Sequence, residues 1–147
     1  MAKYFIYFSA TGNGDFIASI LKEKGYEPLK VEMVKPIGKM SFFKIIKYGG
    51  HAMTNKKAKI KDLSLNLKPE DEVIIGSPIW NDRLSTPINT ILSQFDFDKE
   101  KTKFILYPAG KTTNKSKKRL IKLGFKQEPL VLPYPLKYQE ETKAALK

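Results

Sequence analysis

The sequence predicts an α/β fold, a single domain built on a doubly wound, five-stranded parallel sheet. Three observations carry this. Short apolar runs suited to strands buried on both faces alternate with amphipathic stretches of helical period, in the order βαβαβαβαβα. The 147 residues, 41% apolar and 12% aromatic, are enough to bury one core and argue against wholesale disorder. No internal repeat and no linker divides the chain, so one domain is expected over residues 1–147.

Each element has a local reason. Residues 3–8 (KYFIYF) read as a central strand, and the helical stripe Phe16, Ile17, Ile20 and Leu21 follows until Gly25 ends it. Residues 28–34 alternate as a second, more exposed strand. Ser41 can cap a helix carrying Phe42, Phe43, Ile45 and Ile46, stopped by Gly49 and Gly50, and residues 51–70 are polar and irregular. Residues 72–77 (EVIIGS) form a buried strand. Thr86 followed by Pro87 opens a helix with Ile88, Ile91, Leu92 and Phe95 on its inner side. Residues 103–107 give the next strand, residues 115–123 a helix closed by Gly124, residues 130–132 a short strand, and the tail from Tyr138 a short helix.

Composition removes several chemistries. The chain has no cysteine, which excludes disulfides, thiolate metal sites and cysteine nucleophiles. Its single histidine, His51, argues against a Ser-His-Asp triad and a multi-histidine metal site, and reads as a loop residue. No catalytic side chain and no metal site is expected. The five-residue apolar run at the N-terminus is too short for a secretory signal, so a cytoplasmic location is expected.

The loop Ser9-Ala10-Thr11-Gly12-Asn13-Gly14 joins the first strand to the first helix. Its small residues let backbone approach a ligand. The first helical turn offers N–H groups and a favourable dipole, and Ser9, Thr11 and Asn13 add donors that suit a phosphate. A plain βα turn is the competing reading. Neither GxGxxG nor GxxxxGK[ST] is present, so the loop is neither a dinucleotide fingerprint nor a P-loop.

This loop resembles the phosphate-binding signature of flavodoxins, [T/S]-x-T-G-N-T, at Ser9, Ala10, Thr11, Gly12 and Asn13. Gly14 stands in place of the usual threonine, and Asp15 follows directly. Ser77-Pro78-Ile79-Trp80-Asn81 is similar to the family's G-[ST]-P-[IV]-[WY] loop after the third strand, and Ala109-Gly110 falls in a weaker third match. The resemblance implies the strand order 2-1-3-4-5, FMN as cofactor, and a site made of these thirteen residues, 9–14, 77–81, 109 and 110. The phosphate would lie in loop 9–14 and the ring beside Trp80, at the point where strand order reverses. A core tryptophan is the alternative for Trp80. The chain is similar to the short-chain type of the family. The implied activity is electron transfer with a redox partner; an FMN-dependent NAD(P)H- or quinone-type oxidoreductase is the other reading.

The net charge is +12, from 27 basic and 15 acidic residues. Residues 33–61 hold eight lysines and residues 101–127 nine bases, with no acid in either. Electron-carrying flavodoxins are typically acidic, so this balance departs from the resemblance. It suggests an acidic redox protein as partner, or transient contact with an anionic membrane surface near a quinone; solvated helix faces are the plainer reading. A positive field beside the reduced, anionic flavin would raise its potential. For His51, a proton-transfer role near flavin is the alternative to a loop residue. No nucleic acid is expected, because aromatics are not interleaved with the basic runs.

Overall fold

A computed structural model describes residues 1–34, 57–108 and 112–147. Their elements run β1 (Lys3–Tyr7), α1 (Asn13–Glu23), β2 (Glu27–Lys30), β3 (Glu72–Trp80), β4 (Arg83–Leu84), α2 (Thr86–Gln94), β5 (Lys103–Pro108), α3 (Asn114–Lys122), β6 (Leu130–Val131) and α4 (Gln139–Ala145). Five strands lie in the order β2-β1-β3-β5-β6, parallel throughout, which is the expected doubly wound arrangement.

Alternate residues of the central strands feed two separate cores. Phe5, Tyr7, Ile74, Ile105 and Tyr107 face α1, where Ile17, Ala18 and Leu21 meet them, with Leu132 and Leu146 completing the layer. Ile6, Phe8, Val73, Ile75, Phe104 and Leu106 face the other way, against Ile88 and Ile91 of α2 and Leu120 of α3. Full burial of each large apolar side chain stabilises the fold by about 1.5–3 kcal/mol. Strands covered on both faces have no reason to alternate with polar residues, and this is why they read as continuous apolar runs.

The sheet has a sixth strand that the five-stranded expectation lacks. β3 continues to Trp80, and the two-residue turn Asn81-Asp82 brings β4 back antiparallel, pairing Trp80 with Arg83 and Ile79 with Leu84. Both turn residues have positive φ, 51° and 59°. Asparagine and aspartate tolerate that region, and two such residues make the turn whose twist matches a hairpin. The expected cap of α2 also shifts by one position. Ser85 is the flanking residue and Thr86 the first helical one.

Residues 57–70 contain no helix or strand apart from an isolated bridge between Ile60 and Met33. Ile60, Leu63, Leu65 and Leu67 pack on the α2 side of the sheet. The helix expected from Ser41, with Phe42, Phe43, Ile45 and Ile46, the stop at Gly49 and Gly50, and His51 all lie outside the described residues. So do Ala109, Gly110 and Lys111. Among the described residues no helix is long and apolar enough to cross a membrane.

Candidate functional site

β1 delivers Ser9 to its carboxyl end, and α1 begins four residues later. Gly12 makes the reversal with φ 91°, a left-handed conformation that a side chain would resist. The Ser9 hydroxyl oxygen then accepts three backbone N–H groups, from Gly12 at 3.2 Å, Gly14 at 3.1 Å and Asp15 at 3.4 Å. The amides of the opening turn therefore converge on a single oxygen. Ala10 and Thr11 form the exposed tip of the loop. Asn13 ties it down at both ends of its amide: Nδ2 donates to Thr11 Oγ1 at 3.3 Å, and Oδ1 accepts the N–H of Leu136 at 3.1 Å.

Two tyrosines form the floor beneath this loop. A Cβ on Gly14 would stand 2.7 Å from the Tyr107 hydroxyl oxygen and 2.9 Å from both Tyr7 Cδ2 and Ser9 Cβ. A threonine at this position would force the tyrosine floor or the Ser9 side chain to shift. Tyr107 donates its hydrogen bond to the Phe8 carbonyl. Burial, and after it the neighbouring Tyr7 and Asp15, push its phenol well above the ordinary range. Tyr7 donates to Asp15 Oδ1 at 2.9 Å; burial first, then the Asp15 hydrogen bond and charge, raise its phenol likewise. Lys30 meets both Asp15 carboxylate oxygens at 3.0 and 3.1 Å. The charge of Asp15 is thus engaged by Tyr7 and Lys30.

The segment after β3 is placed differently from an open ring-flanking loop. Ser77 is fully buried, and its hydroxyl lies 3.0 Å from both the Ser85 hydroxyl and the Ser85 N–H. It fastens the start of α2 to the sheet. Gly76 leaves space for the Phe5 ring, whose Cζ would lie 2.6 Å from an added Cβ. Pro78 is half-buried, and Ile79 and Trp80 are buried. Trp80 is 2% exposed and packs edge-on against Phe8, ring centroids 5.7 Å apart. The hairpin turn carries the surface instead. Asn81 sits at its tip, and the Asp82 carboxylate accepts the N–H of Lys115 at 3.1 Å and of Ser116 at 3.5 Å. An acceptor from β3–β4 thereby caps α3, a helix with no acid in its first turn.

Loop 9–14 and the Asn81-Asp82 turn follow adjacent strands, β1 and β3. They lie beyond the strands' carboxyl ends where the order reverses, the usual ligand position in such sheets. Residues that sequence reasoning passes over complete the surroundings. Leu136 Cδ1 lies 3.3 Å from where a side chain on Gly12 would begin. Tyr134, at φ 46°, and Tyr138 flank it, and all three are about two-fifths exposed. The cluster of proline and aromatics in PYPLKY is the signal that could have found them. Among the described residues no group of histidine, aspartate or glutamate side chains is arranged to hold a metal ion.

No protein-family model matches the chain. A search of curated proteins returned no significant match. Solved structures do match. A "putative flavoprotein" from Bacteroides uniformis ATCC 8492 superposes with a TM-score of 0.75 at 18% identity, over 99% of this chain and 97% of that one. One of the same description from Bacteroides eggerthii DSM 20697 gives 0.68 at 19% identity, over 99% and 95%. A flavoprotein in complex with FMN from Lactobacillus acidophilus NCFM gives 0.62 at 19% identity, over 95% and 97%. These likenesses establish the fold, a flavodoxin-like doubly wound sheet spanning nearly the whole chain.

Proposed function

We propose that this chain binds FMN, with the phosphate in loop 9–14, and exchanges electrons with an acidic protein partner. The observation that carries the reading is the convergence of the Gly12, Gly14 and Asp15 amides on one oxygen. Ser9 takes up these amides and so fixes a glycine-rich turn at the start of α1, where the helix dipole favours an anion. Ser9 Oγ, by accepting these amides, holds the turn in the shape that presents the loop's exposed tip, Ala10 and Thr11, to a ligand. Asn13 backs the Thr11 hydroxyl.

The residues fit a single phosphate monoester. Gly14 keeps the backbone low over the tyrosine floor, Gly12 makes the left-handed turn before it, and Asp15 is held by Tyr7 and Lys30. FMN is favoured over a dinucleotide because the GxGxxG spacing is missing and because one structural neighbour is an FMN complex. When bound, FMN supplies the redox chemistry; the chain supplies binding, orientation and field.

The partner follows from charge. α3 presents Lys115, Lys118 and Lys122 on its exposed side and contains no acid. Its N-terminus is joined through Asp82 to the turn beside the mouth. A basic field next to a redox site steers an acidic partner, and salt weakens the steering. The test mixes reduced, FMN-loaded protein with an acidic haem or iron–sulfur protein in a stopped-flow instrument. Transfer that slows steeply with ionic strength is expected, with no bleaching of the flavin band by NADH or NADPH. Salt-independent transfer would remove the acidic partner, and rapid bleaching by a nicotinamide would make the protein a reductase.

A further inference from the structure

We propose that residues 133–138 form a second wall of this mouth, with Leu136 meeting the carbon skeleton of the nucleotide while loop 9–14 holds the phosphate. The proposal rests on the FMN reading above. The segment enters the site by two contacts from one residue. The Leu136 N–H donates to Asn13 Oδ1 at 3.1 Å, and its Cδ1 presses on Gly12, 3.3 Å from that residue's Cβ position. Anything seated on the tip of the loop beside Gly12 has Leu136 as a neighbour.

The surface of the segment suits a ligand more than solvent. Tyr134, Leu136 and Tyr138 are 42%, 42% and 41% exposed, three of the seven large exposed hydrophobic residues among those described, within five positions. The Lys137 ammonium lies 5.4 Å from the Tyr138 ring centre, adding a cation to the same segment. An apolar wall next to a few placed polar donors is the usual make-up of a nucleotide pocket. The loop's hydroxyl and amide groups lie on the β1–α1 side and Tyr134, Leu136 and Tyr138 on this one, so the two halves divide the ligand between them.

The test titrates FMN and riboflavin by flavin fluorescence, and inorganic phosphate by competition, on the wild type, Leu136→Ala and Leu136→Met. Leu136→Ala is expected to weaken FMN and riboflavin by the same factor, about fivefold or more, because the shorter side chain covers less of the ligand's apolar surface. The phosphate competition constant should stay unchanged, and Leu136→Met should restore most of the affinity. FMN affinity unchanged within about twofold would overturn the proposal. So would a loss shared by FMN and phosphate but not riboflavin, since Leu136 would then only brace the loop. Wild type that binds riboflavin without any shift of the Leu136 methyl resonances would overturn it too, even if Leu136→Ala does not fold. Wild type that binds no FMN would instead remove the underlying reading, and this wall with it.

Discussion

Tyr107 reaches under the start of α1 until its phenol oxygen stands 2.7 Å from the point where a side chain on Gly14 would begin. The two residues are far apart in the sequence, and their closeness in space decides which residue loop 9–14 can carry there. Gly14→Ala is expected to destabilise the fold by about 1–3 kcal/mol through overpacking, and Gly14→Thr by more. Gly14→Thr should also weaken FMN binding, although it restores the residue usual in flavodoxins. Urea unfolding and an FMN titration on the two variants check this; a threonine variant that binds more tightly would contradict it.

Ser9 carries three amides on one oxygen. Ser9→Ala is expected to cost about 1–3 kcal/mol of stability, because the amides lose their acceptor. FMN affinity should fall about tenfold, because the loop that holds the phosphate loses the oxygen that fixes its turn. Ser9→Thr should keep both properties. Thermal unfolding and fluorescence titration of the pair provide the check.

Tyr7 and Tyr107 hold their protons to a pH above the ordinary phenol value of 10 in the folded chain. In the unfolded chain both ionise near that value. Their contribution to stability is therefore complete below pH 10 and lost as pH rises above it, because only the unfolded state releases protons there. The expected slope is up to about 1.4 kcal/mol per pH unit for each tyrosine. Tyr26, raised by burial and by Glu72, adds in the same direction. Stability measured from about pH 9 to about pH 11, either side of the phenol value, should fall less steeply in Tyr7→Phe and Tyr107→Phe.

Asp82 joins the β3–β4 turn to the first turn of α3. Asp82→Ala is expected to lose about 1 kcal/mol, the usual worth of a helix cap. Amide exchange at Lys115 and Ser116 should quicken, while the core of β3 stays protected. Asp82→Asn, which keeps the acceptor without the charge, should fall between.

The sheet is legible in the sequence because its chemistry is local. Apolar runs of strand length, glycine stops and the Thr86-Pro87 start each act over a few residues, and the five-strand order follows from their alternation together with the family resemblance. What stays hidden depends on groups distant in sequence. β4 is two residues long, and its turn, Asn81-Asp82, lacks the glycine that marks most such hairpins. Trp80 reads as a ring-flanking side chain by its place in a motif; the hairpin folds it under Phe8. Loop residues 9–14 stand out by their donors, but whether the Ser9 oxygen faces outward or gathers its own amides is set by the backbone turn at Gly12. Leu136 belongs to no periodic stretch, and only the folded chain brings it to Asn13.

The most direct test of FMN binding is a titration of the purified protein with the nucleotide, followed by quenching of flavin fluorescence. Saturable, one-to-one quenching that inorganic phosphate relieves by competition is expected. Fluorescence that stays unquenched at a millimolar excess of protein would contradict it.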